Sequence, residues 1–301
     1  MTSPIRPTTL LHSTRLSQAL GARVTLASET FQHTGSFKFR AAYMVASSVP
    51  HEMLITASSG NFGFALSQAC RLLGKRAIVV MPTTSAKVKS DAVAACRARV
   101  EWVDTSQMTR AARLAQVAQE HPDAYVASPY DDPLVIRGNA SLGAEIARLP
   151  EKFDFLVAPV GGGGLMSGLI TGLKDAECST ACIGAEPALA NDLSRSLAAG
   201  TRLANETEPP TLADGARTIS VGTHNWEILS QHLSAVVEVQ EDHIRQGVRM
   251  LFELANLKAE PTAALSIGAL LAQPERFAGH SVICVISGGN VDPERYCELL
   301  R

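Results

Sequence analysis

The sequence predicts an α/β protein built on parallel sheets, and three observations lead to that fold class. Short apolar runs recur along the chain without strict alternation of polar and apolar residues, as in strands that are covered on both faces. Helical patterns separate these runs, and such alternation is typical of parallel sheets. Several runs end in small residues, at the edge where open parallel sheets bind their ligands.

The elements can be placed along the chain in order. Strands are predicted at residues 53–58, 76–81, 99–104, 124–128, 155–160, 181–186, 235–240 and 281–286. The clearest helical patterns between them are residues 61–74 and 109–121. The polar, proline-bearing segment 201–218 is predicted to be a long loop, either beside the site or idle on the surface.

Composition limits the classes of function. The chain has 301 residues, of which 46% are hydrophobic, so it can bury a large core. A formal charge of −2 without basic or acidic blocks argues against nucleic acid or an anionic membrane as a partner. Residues 155–173 could mimic a membrane span, but four successive glycines favour a strand, a loop and a helix.

Location is an expectation drawn from two features. The N-terminal residues 1–16 lack the apolar region of a signal peptide. The six cysteines form no CxxC pair, and most of them lie in apolar segments. Reduced, mostly buried thiols in a cytoplasmic protein are therefore expected.

The run Gly161–Gly164 follows a predicted strand and precedes a helical pattern. Residues without side chains allow the backbone to close around an anion, and the N–H groups and dipole of a helix start favour phosphate. The run fits neither G-x-G-x-x-G nor the P-loop pattern. A tight strand-to-helix turn is the alternative, but the run favours phosphate binding.

Lys38 stands between Phe37 and Phe39. A surface lysine is the usual case, but this apolar setting indicates a desolvated amine with a lowered pKa, which is a usable nucleophile. A phosphate cradle and a nucleophilic lysine in an α/β protein together suggest pyridoxal phosphate bound through Lys38.

Seven short motifs carry a family resemblance: TGSFKFRAA, SSGN, GGGG, AEPALAND, ADG, AEPTAA and SGGN, in this order. The chain resembles the fold-type II pyridoxal-phosphate enzymes, and within them the serine/threonine dehydratase and serine racemase group. The resemblance implies a tryptophan synthase β-like fold, with two open twisted sheets flanked by helices and the cofactor between two lobes. The small lobe is expected at residues 52–131, and the large lobe at 1–51 and 132–301.

The resemblance also implies cofactor contacts. Lys38 matches the lysine that forms the Schiff base, with Phe37 beside it. Gly161–Gly164 match the loop that holds the cofactor phosphate, and Asn61 matches the asparagine that binds the 3-oxygen of the ring. Ser287 matches the residue that faces the pyridine nitrogen. A hydroxyl there cannot keep that nitrogen protonated. The unprotonated ring is a weaker electron sink, which favours prompt loss of a substituent from the β-carbon over transamination.

Substrate contacts and catalysis follow from the same resemblance. Ser58, Ser59, Gly60 and Asn61 would bind the substrate, with Ser58, Gly60 and the neighbouring backbone amides holding its carboxylate. Ser59 matches the serine on the face of the cofactor opposite Lys38. Both Lys38 and Ser59 are therefore candidate acid/base residues.

A divalent metal site is implied by Glu186 and Asp192, with the backbone carbonyl of Ala190 between them. Such oxygen ligands suit Mg²⁺ or Ca²⁺. The alternative is that Asp192 caps the helix that follows it and Glu186 merely ends a strand.

The chain also departs from the common family pattern. Phe62 and Ser128 stand where histidine is frequent, and Asn139 and Ser141 replace glutamine and threonine. The substrate therefore need not be plain serine or threonine.

The expected reaction is removal of water and ammonia from a β-hydroxy amino acid, which gives a 2-oxo acid and ammonium. An amino-acid racemase that uses Lys38 and Ser59 is the first alternative, and a β-replacement synthase of the cysteine-synthase type is the second. A non-enzymatic phosphate-binding protein is the alternative from a different class. By resemblance, the protein is expected to be a homodimer with a small-molecule amino-acid substrate.

Overall fold

A computed structural model describes residues 4–58, 60–85 and 87–301 of the chain, with the backbone alone at 87–89. The described residues form two separate sheets flanked by helices, which confirms the predicted α/β class. The same residues contain no helix that is both long enough and apolar enough to cross a bilayer.

The larger sheet has six strands. In spatial order they are β1 (Thr9–His12), β2 (Arg23–Ser28), β10 (Ser281–Ile286), β7 (Phe155–Pro159), β8 (Ala181–Pro187) and β9 (Ala235–Val239). The edge strand β1 pairs antiparallel with β2, and every other pair is parallel. The carboxyl ends of β7, β8 and β10 therefore lie at one edge of the sheet.

The smaller sheet has four parallel strands. In spatial order they are β5 (Arg99–Val103), β4 (Arg76–Pro82), β3 (Met53–Ala57) and β6 (Tyr125–Val126). All eight predicted strands are confirmed, whereas β1 and β2 were not predicted. The predicted strand at 124–128 is only two residues long, because the chain turns at Ser128, whose Oγ accepts hydrogen bonds from the N–H groups of Tyr130 and Asp131.

Helices connect the strands. They are α1 (Thr14–Leu20), α2 (Lys38–Ser48), α3 (Asn61–Leu72), α4 (Lys87–Ala95), α5 (Arg110–Glu120), α6 (Pro133–Ala147), α7 (Gly164–Asp175), α8 (Asp192–Ala199), α9 (Thr223–His232), α10 (Glu241–Ala255), α11 (Pro261–Ala272), α12 (Pro274–Phe277) and α13 (Pro293–Leu300). Both predicted helices are confirmed, as α3 and α5. Residues 201–218 are irregular apart from one short turn, Asp214–Ala216, which confirms the predicted loop.

The core is divided by the sheets. One cluster lies between the large sheet and α1, α10, α11 and α13, and a second lies on the opposite face against α6 and α7. A third cluster joins α2 and α3 to the small sheet. Because α2 packs against both α3 and α6, the lobe limits at 52 and 131 stay a prediction.

Candidate active site

Three connections place small polar residues at the carboxyl ends of strands. Ser58, Gly60 and Asn61 follow β3, Gly161–Gly164 follow β7, and residues 287–290 follow β10. The first two connections open directly into α3 and α7. Ser59 lies outside the described residues, so its predicted role stays a prediction.

Lys38 is the first residue of α2, and its half-buried side chain ends beside the loop that follows β6. Its Nζ donates to the carbonyl of Pro129 at 2.6 Å. The same atom lies 5.0 Å from the ring centroid of Phe37 and 5.8 Å from that of Phe62. Desolvation lowers the pKa of Lys38 to about 8, and the negative charge of Glu260 opposes part of that shift.

The second aromatic neighbour of Lys38 differs from the one that the sequence suggested. Phe39 points away, into the core cluster of the small sheet, where it stacks on Tyr43. Successive residues on a helix point about 100° apart, so a lysine and the next residue cannot share a face. Phe62 of α3 takes that place, although the sequence indicated it only as a departure from the family pattern.

A buried arginine fixes the first turn of α2. Arg40 is fully buried and donates to Glu29, the residue directly after β2, at 2.7 Å and 2.8 Å. It also donates to Glu145 of α6 at 2.7 Å and to Ser141 at 3.1 Å. These bonds tie α2 to the large sheet and to α6, and so hold Lys38 in place two residues earlier.

Gly161–Gly164 form a close-packed turn between β7 and α7. Gly163 has a φ of 91°, which only glycine adopts readily. A Cβ on Gly162 would overlap the Tyr130 ring, and one on Gly161 would lie 2.7 Å from the Cα of Ala216. Within the described part of the chain, no acceptor was found for the four N–H groups of this turn, so they are available to an anion.

The segment Pro129–Asp131 joins Lys38 to the glycine turn. Asn225 of α9 donates to the carbonyls of Tyr130 and Gly162 at 3.0 Å and 2.7 Å. The carboxylate of Asp131 accepts hydrogen bonds from the first N–H groups of α9. This one short segment therefore contacts both the amine of Lys38 and the glycine turn.

Asn61 lies at the start of α3 within a polar network that connects three loops. Its Nδ2 donates to the carboxylate of Glu260 at 2.8 Å and 3.1 Å, and its Oδ1 accepts from Asn290 at 2.8 Å. Asn290 also donates to the carbonyl of Thr34 at 2.7 Å. No role was predicted for Glu260 or Asn290, although both lie in quoted motifs, AEPTAA and SGGN.

Ser287 follows β10 and is 1% exposed, and its Oγ has no hydrogen-bond partner among the described residues. The neighbouring Ser36 is equally buried, and its Oγ is also unpartnered. Because buried hydroxyls normally find a partner, this pair indicates a polar ligand. Ser58 lies at the other side of the site, where its Oγ accepts from the N–H of Gly60 at 3.3 Å.

Three of the four residues that depart from the family pattern are polar, and each of them has a structural role. Ser128 fixes the turn that carries Pro129, as described above. Asn139 of α6 donates to the carbonyl of Gly164 at 2.9 Å, and Ser141 bonds to Arg40 and to the carbonyl of Gly138. These three residues therefore bond to backbone groups and to Arg40, and so hold the elements around the site in place.

Glu186 and Asp192 lie together at the carboxyl end of β8 and the start of α8. Glu186 accepts from the N–H groups of Leu193 and Ser194, both at 2.9 Å, so it caps α8. Asp192 accepts from the N–H of Val221 at 2.7 Å and from Asn205 at 3.0 Å. Desolvation raises the pKa of both carboxyls, that of Asp192 to about 6, and the charge of Asp192 adds to the rise at Glu186.

The described residues contain no group of three or more histidine, cysteine or acidic side chains that could hold a metal ion. The predicted set offers two carboxylates and the carbonyl of Ala190, which lies in a short turn between them.

All six cysteines are free, and four of them are buried.

Comparison with known proteins agrees with this geometry. A family model for pyridoxal-phosphate dependent enzymes matches residues 1–288. Human serine racemase is 34% identical over 298 residues, which cover 96% of this chain and 87% of the racemase. The L-threo-3-hydroxyaspartate ammonia-lyase of Saccharomyces cerevisiae is 32% identical over 300 residues, covering 98% of this chain and 91% of that enzyme.

Solved structures share the fold. A threonine deaminase from T.th. superposes with a TM-score of 0.89 and 36% identity, covering 96% of this chain and 94% of that one. Maize serine racemase gives a TM-score of 0.90 with 26% identity, covering 98% and 91%. The family match spans nearly the whole chain and includes every described element of the site except the last loop, at 289–290. The chain therefore belongs to the family of pyridoxal-phosphate dependent enzymes.

Proposed function

We propose that this protein removes water and ammonia from a β-hydroxy amino acid, giving a 2-oxo acid and ammonium, with pyridoxal phosphate as its cofactor. The observation that carries the proposal is the amine of Lys38, which lies beside two aromatic rings and bonds to Pro129, whose neighbour Tyr130 packs on the glycine turn. Two similar proteins are named for hydroxyaspartate and threonine, and both of these are β-hydroxy amino acids.

The residues at the site fit this cofactor. The unpaired N–H groups of Gly161–Gly164 suit its phosphate, and the unpartnered Oγ of Ser287 suits its ring nitrogen. Asn61 would donate to the ring oxygen, and Phe37 would pack beside it. Lys38 would hold the cofactor covalently through its amine, as expected for a lysine with a pKa near 8.

Different residues of this chain would bind the substrate and remove its α-proton. When bound, the cofactor withdraws electrons from the α-carbon of the amino acid. Ser58, Gly60 and the start of α3 would bind the substrate carboxylate, and the helix dipole favours that charge. Lys38, once its amine is free, would take the α-proton as general base, because a pKa of about 8 leaves part of the amine neutral near neutral pH.

A substrate panel tests the proposal. The cofactor-loaded protein should form 2-oxo acid from at least one of L- or D-serine, threonine, 3-hydroxyaspartate and phenylserine. Lys38→Ala should abolish this activity, whereas Lys152→Ala, at an exposed position, should leave it unchanged. Absence of 2-oxo acid with every substrate would contradict the proposed reaction.

Racemisation is the second candidate, because serine racemases are among the similar proteins. It requires a proton to leave one face of the α-carbon and return on the other, so it needs Ser59 in addition to Lys38. Ser59→Ala should abolish racemisation but leave dehydration of an L-substrate within about a hundredfold. Chiral analysis beside the 2-oxo acid assay separates the two activities, and equal loss of both in this variant would contradict the division.

A divalent cation is proposed at Glu186, Asp192 and the carbonyl of Ala190. Two buried carboxylates favour a positive charge between them, because the charge of Asp192 makes ionisation of Glu186 more costly. Oxygen ligands of this kind suit Mg²⁺ or Ca²⁺, with water completing the shell.

Assembly and location complete the proposal. We expect a cytoplasmic homodimer, with a solution mass near twice the 31.9 kDa of one chain. Light scattering coupled to size-exclusion chromatography checks the mass. A monomer at micromolar concentration would contradict the assembly.

A further inference from the structure

Glu260 lies immediately before α11 and is only 4% exposed, which is rare for a carboxylate. Its two oxygens face Nδ2 of Asn61. Its N–H donates to the carbonyl of Gly288, and a Cβ on Gly288 would lie 2.9 Å from its Oε1. The carboxylate is therefore packed between the loop after β10 and the start of α3.

The amide of Asn61 has one orientation in this network. A carboxylate only accepts hydrogen bonds, so Nδ2 must face Glu260. Asn290 donates to Oδ1 from the other side and is itself anchored on Thr34. Asn61 is thus held in one orientation, with its carbonyl occupied by Asn290. Its Nδ2 carries two N–H groups, and one of them is enough for both contacts to Glu260, so the other can donate to a ligand.

Glu260 also lies near Lys38: it bonds to Asn61, and the ring of the next residue, Phe62, lies 5.8 Å from Nζ of Lys38. At this place its negative charge acts on the amine. Four groups surround the amine: the rings of Phe37 and Phe62, the carbonyl of Pro129, and Glu260 at the start of α11. Asp131 and Asp132 lie near Pro129 in sequence, but their carboxylates bind the first N–H groups of α9 and α6. In the described part of the chain, Glu260 is the acidic group whose charge acts on the amine.

We propose that Glu260 positions Asn61 as a hydrogen-bond donor toward the bound cofactor and supplies the negative charge opposite Lys38. The inference rests on the proposed function for the identity of the ligand. The charge, however, acts in the cofactor-free protein as well, so it can be measured there. Glu260 is a positioning residue in this account, with no contact to the reacting atoms required.

The first experiment measures the titration of Lys38 in the cofactor-free protein. Competitive acetylation across pH, followed by peptide mass analysis, gives its apparent pKa. An anion favours the ammonium form, so Glu260→Gln should lower this pKa below that of the wild type. Glu241→Gln is the matched control, because Glu241 also begins a helix and accepts two hydrogen bonds, from Thr211 and Leu212. Identical titration of wild type and Glu260→Gln would overturn the charge role.

The second experiment separates positioning from charge. Asn290→Ala keeps the Glu260 carboxylate but removes the partner of Asn61 Oδ1. It should weaken pyridoxal phosphate binding about fivefold, the value of one neutral hydrogen bond, and leave the Lys38 titration at the wild-type value. Glu260→Ala should weaken binding at least as much, because it removes the acceptor of Asn61 Nδ2. Unchanged cofactor affinity in Glu260→Ala would overturn the positioning role, and if that variant fails to fold, unchanged affinity in Asn290→Ala would do so.

A failure of the inference can be told from a failure of the proposed function. If the wild-type protein bound no pyridoxal phosphate at all, the proposed function would fail. The acetylation titration would still decide whether Glu260 acts on Lys38.

Discussion

At the scale of single residues, the surroundings of Lys38 lower the pKa of its amine. The motif around it predicted an apolar setting, and the lowered pKa agrees. The second ring comes from Phe62 in another element, and the opposing charge comes from Glu260, which lies far later in the chain. Contacts of that kind depend on the tertiary fold, which a local pattern does not contain.

The lowered pKa of Lys38 reduces the free energy of unfolding, and this effect can be measured. The pKa of Lys38 falls from 10.5 to about 8, so the folded state is penalised whenever the amine is protonated. The penalty is complete below pH 8 and disappears as pH rises toward 10.5, because both states are then neutral. Lys38→Met should therefore raise the free energy of unfolding of the cofactor-free protein at pH 7 by about 2 kcal/mol, allowing for partial solvent access.

Urea unfolding at pH 7 and above pH 10 checks this prediction. The gain should be present at the lower pH and absent at the higher one. Lys152→Met, at an exposed position, should change neither value. A Lys38→Met variant that is less stable than the wild type at pH 7 would contradict the desolvated state of the amine.

At the scale of elements, the glycine turn and its neighbours determine the site. The strand, the turn and the helix around Gly161–Gly164 were predictable, because four glycines at a strand end leave few alternatives. The packing of Tyr130 on Gly162 was not, since that contact joins segments far apart in sequence. The short edge strand β1 and its partner β2 were missed for a related reason, as their pairing is set by the rest of the large sheet.

The packing on Gly162 gives a second prediction. Gly162→Ala would place a methyl group in the Tyr130 ring, and such overpacking costs about 1–3 kcal/mol. The ring and the segment that carries Pro129 would move, so pyridoxal phosphate should bind at least tenfold more weakly.

Gly21→Ala provides the control for this variant. Gly21 has a φ of 65° at the end of α1, with no atom within 4 Å of an added Cβ. The control variant should lose about 1 kcal/mol of stability without any change in cofactor affinity. Wild-type affinity in Gly162→Ala, measured by absorbance titration, would show that the turn does not hold the cofactor.

At the scale of the whole molecule, the two sheets were predictable because strand and helix patterns alternate so regularly. The acidic pair at the end of β8 was predictable as a pair, but its role was not, since Glu186 also caps α8 and Asp192 also bonds to Val221. The structural alternative expected from the sequence placed the helix cap on Asp192, but Glu186 caps α8 instead. The structural and the metal interpretations use the same carboxylate oxygens. Measurement of stability with and without metal distinguishes them.

A bound cation should stabilise the folded state by mass action. Chelator should lower the melting temperature, and Mg²⁺ or Ca²⁺ should restore it. Asp192→Asn should remove the response to both. An unchanged melting curve, together with no metal in elemental analysis, would exclude the site.

The proposed function requires that Lys38 holds the cofactor and acts on the substrate. The most direct test is borohydride reduction of the protein loaded with pyridoxal phosphate, followed by peptide mass analysis. We expect a stable adduct on the peptide that contains Lys38, and none in Lys38→Ala. An adduct on Lys75, Lys87 or another lysine, or no adduct at all, would contradict it.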